Sequence, residues 1–191
     1  MRGNRVLFLL VLVVAGAVIG AGGIIVSLEV NRATSTDTFC TSCHSMATLA
    51  TDPHFRQSRH EANAAGFQVS CSDCHIPSGN WFVETYTHVT SGLRDVVAEY
   101  THNFNDPEVW QKRRTELAEE VRGEMRRNGS ITCRKCHDAM AIRPATEAGR
   151  AAHAMLAQGQ VTCIDCHINL VHAPVVLGGR FPRGSNVSQI K

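Results

Sequence analysis

The pentapeptide Cys-x-x-Cys-His occurs four times in this chain. The copies are Cys40-Thr-Ser-Cys43-His44, Cys71-Ser-Asp-Cys74-His75, Cys133-Arg-Lys-Cys136-His137 and Cys163-Ile-Asp-Cys166-His167. All eight cysteines fall inside these motifs. The pattern reads as covalent c-type haem attachment, with two thioethers to the porphyrin and the adjacent histidine placed to ligate iron. Two other readings use the same cysteines. Zinc ribbons use paired CxxC elements, but they leave a histidine after every second cysteine without a role. A disulfide framework suits an even cysteine count but places no demand on the following residue. Four haems on 191 residues describe a conduit for electrons.

The N-terminus fixes where such a domain works. Val6 to Leu28 carries no charged side chain. As a helix these residues span about 34 Å, against a hydrocarbon core of about 30 Å. Arg2 and Arg5 precede the run and Glu29 follows it, so the positive-inside bias puts residues 1–5 in the cytoplasm and residues 29–191 outside. A cleaved signal peptide is the competing reading, but the run exceeds the usual apolar core of such peptides. Gly16, Gly20, Gly22 and Gly23 lie in the span and would let a second helix pack closely. The expected location is the bacterial inner membrane, single-pass, with the haem domain in the periplasm and the lipid bilayer as a partner.

Net charge is +2 with histidines neutral. Eight ionised propionates would bring it to roughly −6, so the basic balance is no sign of nucleic acid. Arginine suits those carboxylates as a partner.

The motifs fall into two pairs. Cys40 to Cys71 is 31 residues and Cys133 to Cys163 is 30. His60 precedes Cys71 by 11 residues and His153 precedes Cys163 by 10. The spacing predicts a duplicated two-haem unit, about 36–100 and 129–175. The expected fold is mainly α with much irregular structure: one transmembrane helix and a small tetrahaem domain built as two di-haem repeats. Asp106-Pro107-Glu108 predicts a helix start and Asn128-Gly129 its end, with Trp110, Leu117, Val121 and Met125 on one stripe. A second helix is expected from Trp81 to about Tyr100. Its stripe of Val89, Leu93, Val96 and Tyr100 should pack on haem or on the rest of the domain, or else rest on the bilayer. Turns and short pieces make up the remainder. With so little aliphatic sequence outside the anchor, the haem-free chain is expected not to fold.

Four irons have eight axial positions. His44, His75, His137 and His167 offer four. Among the other histidines, His60 and His153 are the best distal candidates by the repeat, and His172 follows the last motif closely. His54, His88 and His102 lack such support as ligands. Met46, two residues past His44, is a further candidate, because methionine thioether also binds haem iron.

Taken together, these features resemble the NapC/NirT/NrfH family of membrane-anchored multihaem quinol dehydrogenases. The likeness runs through Ser35-Thr-Asp-Thr-Phe-Cys40-Thr-Ser-Cys43-His44-Ser-Met46, Ser58-Arg-His60, Cys71-Ser-Asp-Cys74-His75-Ile-Pro77, Arg114-Thr-Glu-Leu117-Ala118 and Thr162-Cys163-Ile-Asp-Cys166-His167 to His172. The resemblance implies four covalent c-type haems and oxidation of membrane quinol, menaquinol or ubiquinol. The electrons would pass to a periplasmic reductase subunit of the nitrate or nitrite type. It implies an electron-transfer subunit rather than a stand-alone enzyme, as a homo-oligomer or in complex with the reductase.

In the NrfH branch a methionine after the first motif binds the first haem. Met46 matches that position, which leaves the role of His44 open. A Gly-x-x-Asp element there supplies a carboxylate near the first haem, and Gly92-Leu-Arg-Asp95 resembles it. The lysine often found before that element is missing, and His88 stands in its neighbourhood. Ile168-Asn-Leu-Val-His172 departs from the usual Lys-Gly-Ile-Ala-His but keeps the histidine. Quinol oxidation needs a proton acceptor, for which Asp95, then His88 and Glu84, are the candidates. A direct nitrogen-oxide reductase, and an acceptor feeding electrons into the quinone pool, are the alternative functions.

Overall fold

The computed structural model describes residues 2–175; the end of the expected periplasmic domain, 176–191, lies outside the described residues. Those residues form ten helices and no strand. Helix α1, Arg2–Thr34, has 33 residues, about 50 Å at 1.5 Å per residue. It is long and apolar enough to cross a membrane. Its Val, Leu, Ile and Phe side chains project outward along its length, from Val6 at 57% exposure to Val30 at 53%. The helix continues past the uncharged run at both ends, so residues 29–34 carry it beyond the apolar stretch.

Two long helices follow where the capping chemistry places them. Helix α6, Trp81–Thr101, starts at Asn80, whose side chain accepts from the amides of Phe82 and Val83. Helix α7, Pro107–Arg127, starts at Asp106, which accepts from Glu108 N, with Pro107 in the first turn. Gly129 (φ +68°) and Ser130 (φ +55°) turn the chain out of α7 through the left-handed region. The short helices are α2 (Asp37–Cys40), α3 (His44–Thr51), α4 (Pro53–Arg56), α5 (Cys71–His75), α8 (Ile131–Arg134) and α10 (Cys163–Cys166). Helix α9, Glu147–Ala157, was not expected from the sequence. Its signal is Thr146, which caps Gly149 N, ahead of Glu147 in the first turn.

Helix α6 is turned inside out. Phe82, Tyr86, Val89, Leu93 and Tyr100 are 61–89% exposed, whereas Glu84, Thr85, His88, Arg94, Asp95 and Glu99 are partly buried. The expected packing of the Val89–Tyr100 stripe on the domain's own residues is therefore not met. The reason is that polar anchors hold the opposite face inward. Asn31 of α1, 4% exposed, donates to Thr85 Oγ1 at 2.8 Å, and Glu99 binds Ser45. On α7, by contrast, Trp110, Leu117, Val121 and Met125 are all partly buried.

Among the described residues no hydrophobic side chain is fully buried; the buried ones are Asn31, Ser45, Ser58, Arg122, Ser130 and Thr132. Helical domains of this size ordinarily close on an apolar centre. Here capped helices and polar ties hold the described residues together, with no apolar centre among them. Several arginines expected for propionates already have partners in the chain. Arg122 binds Glu119 and Asn169, and Arg126 binds Asp165.

Candidate haem centres

Short capped turns seat motifs 1, 2 and 4, whereas α8 at motif 3 starts at Ser130 without a side-chain cap. Motif 2 begins at Ser70, which forms a reciprocal capping box with Asp73, and motif 4 begins at Thr162, boxed with Asp165. The duplication extends to the hydrogen bonds. Three residues before motif 1, Asp37 accepts from Cys71 N at 2.8 Å. Three residues before motif 3, Ser130 Oγ accepts from Ile164 N at 3.2 Å. The first cysteines of the paired motifs, Cys40 with Cys71 and Cys133 with Cys163, are near enough to influence each other's ionisation. A tie also runs between the repeats, from Lys135 Nζ to Asp73 at 2.7 Å.

The histidines pair. Ring centroids of His60 and His137 lie 6.2 Å apart, of His75 and His172 6.2 Å, and of His153 and His167 6.1 Å. An iron held by two imidazole nitrogens at about 2 Å each leaves ring centres about 6 Å apart, so all three pairs fit that geometry. The partners do not follow the repeat. His153 faces the histidine of its own motif pair, whereas His60 and His172 each reach across to the other repeat.

The donor chemistry agrees with iron ligation. His153 Nδ1 lies 2.8 Å from the Gly149 carbonyl. A carbonyl only accepts, so the hydrogen sits on Nδ1 and Nε2 keeps its lone pair. Burial first, then the charges of His75 and Arg114, push the His172 pKa down to about 4. His172 therefore stays neutral, and its buried Nδ1 has no hydrogen-bond partner. That orphaned nitrogen and the missing apolar centre are what a covalent haem would satisfy. Among the described residues no group of three or more His, Cys, Asp or Glu forms a metal cluster, and a zinc ribbon would require one.

Motif 1 is built differently. In motif 2 both cysteines lie within α5 and in motif 4 both lie within α10, while in motif 3 Cys133 lies within α8 and Cys136 beyond it. In motif 1 Cys40 ends α2, Cys43 is the N-cap of α3, and the helix starts at His44. His44 faces no second histidine. Its Nε2 lies 2.9 Å from Asn105 Oδ1. Ser45 is buried and donates from both N and Oγ to Glu99 Oε1. Met46 is partly buried two residues on.

The three proton-acceptor candidates share the inward face of α6 but do not meet. Glu84 and Asp95 are eleven residues apart, about 16 Å along the axis. Asp95 lies one turn before Glu99, the residue that holds motif 1. Burial raises its pKa, Arg94 opposes this, and Glu120, Glu99 and Glu124 add to the rise. His88 Nδ1 bonds the Glu84 carbonyl at 3.0 Å, and its Nε2 lies 3.1 Å from Ser35 Oγ, just past the end of α1. Glu84 carries enough charge near Lys135 to raise the lysine pKa, as the smallest of its causes. His54, exposed, pairs with Asp52. His102 bonds Thr101 and stacks on Phe104. Sequence reasoning missed Asn31, Glu99 and Asn105, which are single polar residues without a motif, and it named Ser35 only as the start of the stretch leading to motif 1.

The model of the NapC/NirT cytochrome c family, N-terminal region, matches residues 2–176. The chain belongs to the NapC/NirT cytochrome c family. A Nitrosomonas europaea protein of the kind, named as a tetrahaem c-type cytochrome, is 38% identical over 140 residues, covering 72% of this chain and 58% of that protein. Cytochrome c-type protein TorC of Escherichia coli is 35% identical over 147 residues, 76% of this chain and 37% of TorC. Denitrification system component NirT of Stutzerimonas stutzeri is 32% identical over 149 residues, 77% of this chain and 71% of NirT. The chain thus spans little more than half of the first of these relatives and little more than a third of the second. No solved structure gives a significant match. Membership in the NapC/NirT cytochrome c family, with relatives named as tetrahaem cytochromes, supports covalently bound c-type haems and agrees with the helical fold.

Proposed function

We propose that the chain is a membrane-anchored tetrahaem cytochrome that oxidises membrane quinol and hands the electrons to a periplasmic reductase. The observation that carries this reading is the set of three histidine pairs at 6.1–6.2 Å on a scaffold with four attachment motifs. Bound haems supply one-electron redox centres. The eight motif cysteines hold them covalently. His75 with His172, His137 with His60, and His167 with His153 would hold three of the irons, and Met46 would serve the first motif. Two strong-field ligands on an iron suit electron transfer and close it to substrate. That disfavours direct reduction of a nitrogen oxide at those three centres.

The quinol side lies at motif 1, with α1 anchoring the chain and its N-terminus in the cytoplasm. Asp95 takes a quinol proton at its carboxylate. Its raised pKa makes it a stronger base, once ionised, than an ordinary aspartate. His88, tied to Ser35 where α1 ends, is placed to pass a proton at Nε2. The Stutzerimonas relative is named for denitrification, which supports a nitrogen-oxide reductase as the downstream partner.

The test is anaerobic stopped-flow spectroscopy of the full chain in lipid nanodiscs, with a menaquinol analogue as reductant. Cytochrome reduction without any partner protein is expected, slowed at least tenfold by Asp95→Asn. Haems that dithionite reduces and quinol does not would overturn the proposal.

A further inference from the structure

Of the four motif histidines, three face a second histidine, and among the described residues no hydrogen bond occupies their rings. His44 departs on both counts, because it faces no histidine and its Nε2 is bonded to Asn105 Oδ1 at 2.9 Å. An amide oxygen only accepts, so Nε2 carries the hydrogen in this contact. A nitrogen that bears a hydrogen has no lone pair for a metal. The contact therefore occupies Nε2 and ties the ring to the loop after α6, while Nδ1 keeps its lone pair.

The neighbouring residue is fixed as well. Ser45 is 8% exposed and gives both its amide and its hydroxyl to Glu99 Oε1. The His44–Ser45 pair is thus held at two points, by the last turn of α6 and by the loop that follows it. Helix α3 starts at His44 instead of enclosing the cysteines, and Met46 lies in that same first turn.

We infer that Asn105 is a positioning residue that would hold His44 away from a haem at motif 1 and so leave its iron to Met46. The need for such a latch is chemical. An imidazole two residues from a thioether, on the same attachment motif, is a strong competitor for the same iron. Methionine ligation raises the reduction potential of a haem relative to a second histidine. Holding His44 away would therefore keep the entry haem oxidising enough to accept quinol electrons. The inference rests on the reading of Met46 as the ligand at motif 1.

The test combines near-infrared magnetic circular dichroism with a spectroelectrochemical titration of the haem-loaded full chain. Asn105→Leu is expected to convert the first haem from methionine to histidine ligation, with loss of its methionine charge-transfer band and a downward shift of one of the four midpoint potentials. Asn105→Asp keeps an oxygen acceptor and should match the wild type. Asn105→Leu combined with His44→Ala removes the competitor and should restore the wild-type band and potential. A wild-type first haem in Asn105→Leu would overturn the latch, as would the same shift in the double variant. Met46→Leu separates the two layers. If it leaves the first haem unchanged, the ligand reading itself fails; if it alters the first haem while Asn105→Leu does not, only the latch fails.

Discussion

Lys135 donates to Asp73 at 2.7 Å, and each is the second variable residue of its own attachment motif. The contact ties motif 2 to motif 3 and so joins the two repeats at their haem-binding turns. Both side chains are partly exposed, at 46% and 32%. A surface pair of this kind contributes at most about 1 kcal/mol. Lys135→Met should therefore lower the melting temperature of the haem-loaded protein by no more than about 2–4 °C, measured by differential scanning calorimetry. Lys135→Glu sets two like charges against each other and should cost more than Lys135→Met.

The histidine pairing has a consequence that single substitutions would miss. If His60 and His137 hold one iron, replacing both with alanine affects one haem. Replacing His60 and His75 affects two. Electron paramagnetic resonance of the oxidised protein should show one bis-histidine signal lost in the first double variant and two lost in the second. Equal losses in the two variants would mean that the pairs are drawn wrongly.

Burial raises the Asp95 pKa, which fixes the sign of two pH effects. The base form of Asp95 appears at higher pH than that of an ordinary aspartate, near 3.9. Quinol-driven reduction should therefore rise with pH through that elevated value, and Asp95→Asn should flatten the rise. The folded state also favours the protonated carboxyl. Its stabilising contribution is complete below the unfolded pKa and is lost as pH rises through the folded one. Asp95→Asn should accordingly melt higher than the wild type at neutral pH, with the difference vanishing in acid.

Much of this architecture is legible in the sequence, and the illegible parts share a cause. The bounds of α6 and α7 follow from Asn80, Asp106-Pro107 and Asn128-Gly129, because caps are local chemistry. Helix α9 escaped because its apolar residues are mostly alanine, with only Met155 and Leu156 large. The outward face of α6 escaped for a different reason. Periodicity identifies an apolar face but not what covers it, and the deciding contacts from Asn31 and Ser45 are long-range. The matched spacing of His60 and His153 suggested matched roles. Only the three-dimensional arrangement shows His60 reaching across to motif 3 while His153 stays beside motif 4. Asn105 carries no sequence signal, because nothing in a lone loop asparagine marks its partner 61 residues away.

No hydrophobic side chain among the described residues is fully buried, and we propose that bound haems take part in holding the fold. Hydrophobic burial is the main favourable term in folding, and this polypeptide keeps too little of it for itself. Chain produced without haem attachment, or with all eight cysteines replaced by alanine, should show no cooperative thermal transition and should expose apolar surface to a dye such as ANS. The haem-loaded protein should melt cooperatively and bind little dye.

Iron coordination is the point on which site and function both turn, and near-infrared magnetic circular dichroism of the fully oxidised, haem-loaded chain measures it directly. The expected spectrum contains three haems with the charge-transfer energy of bis-histidine ligation and one with a methionine ligand. Four bis-histidine haems, or fewer than three, would contradict the pairing of His60, His153 and His172 with the motif histidines and the place given to Met46.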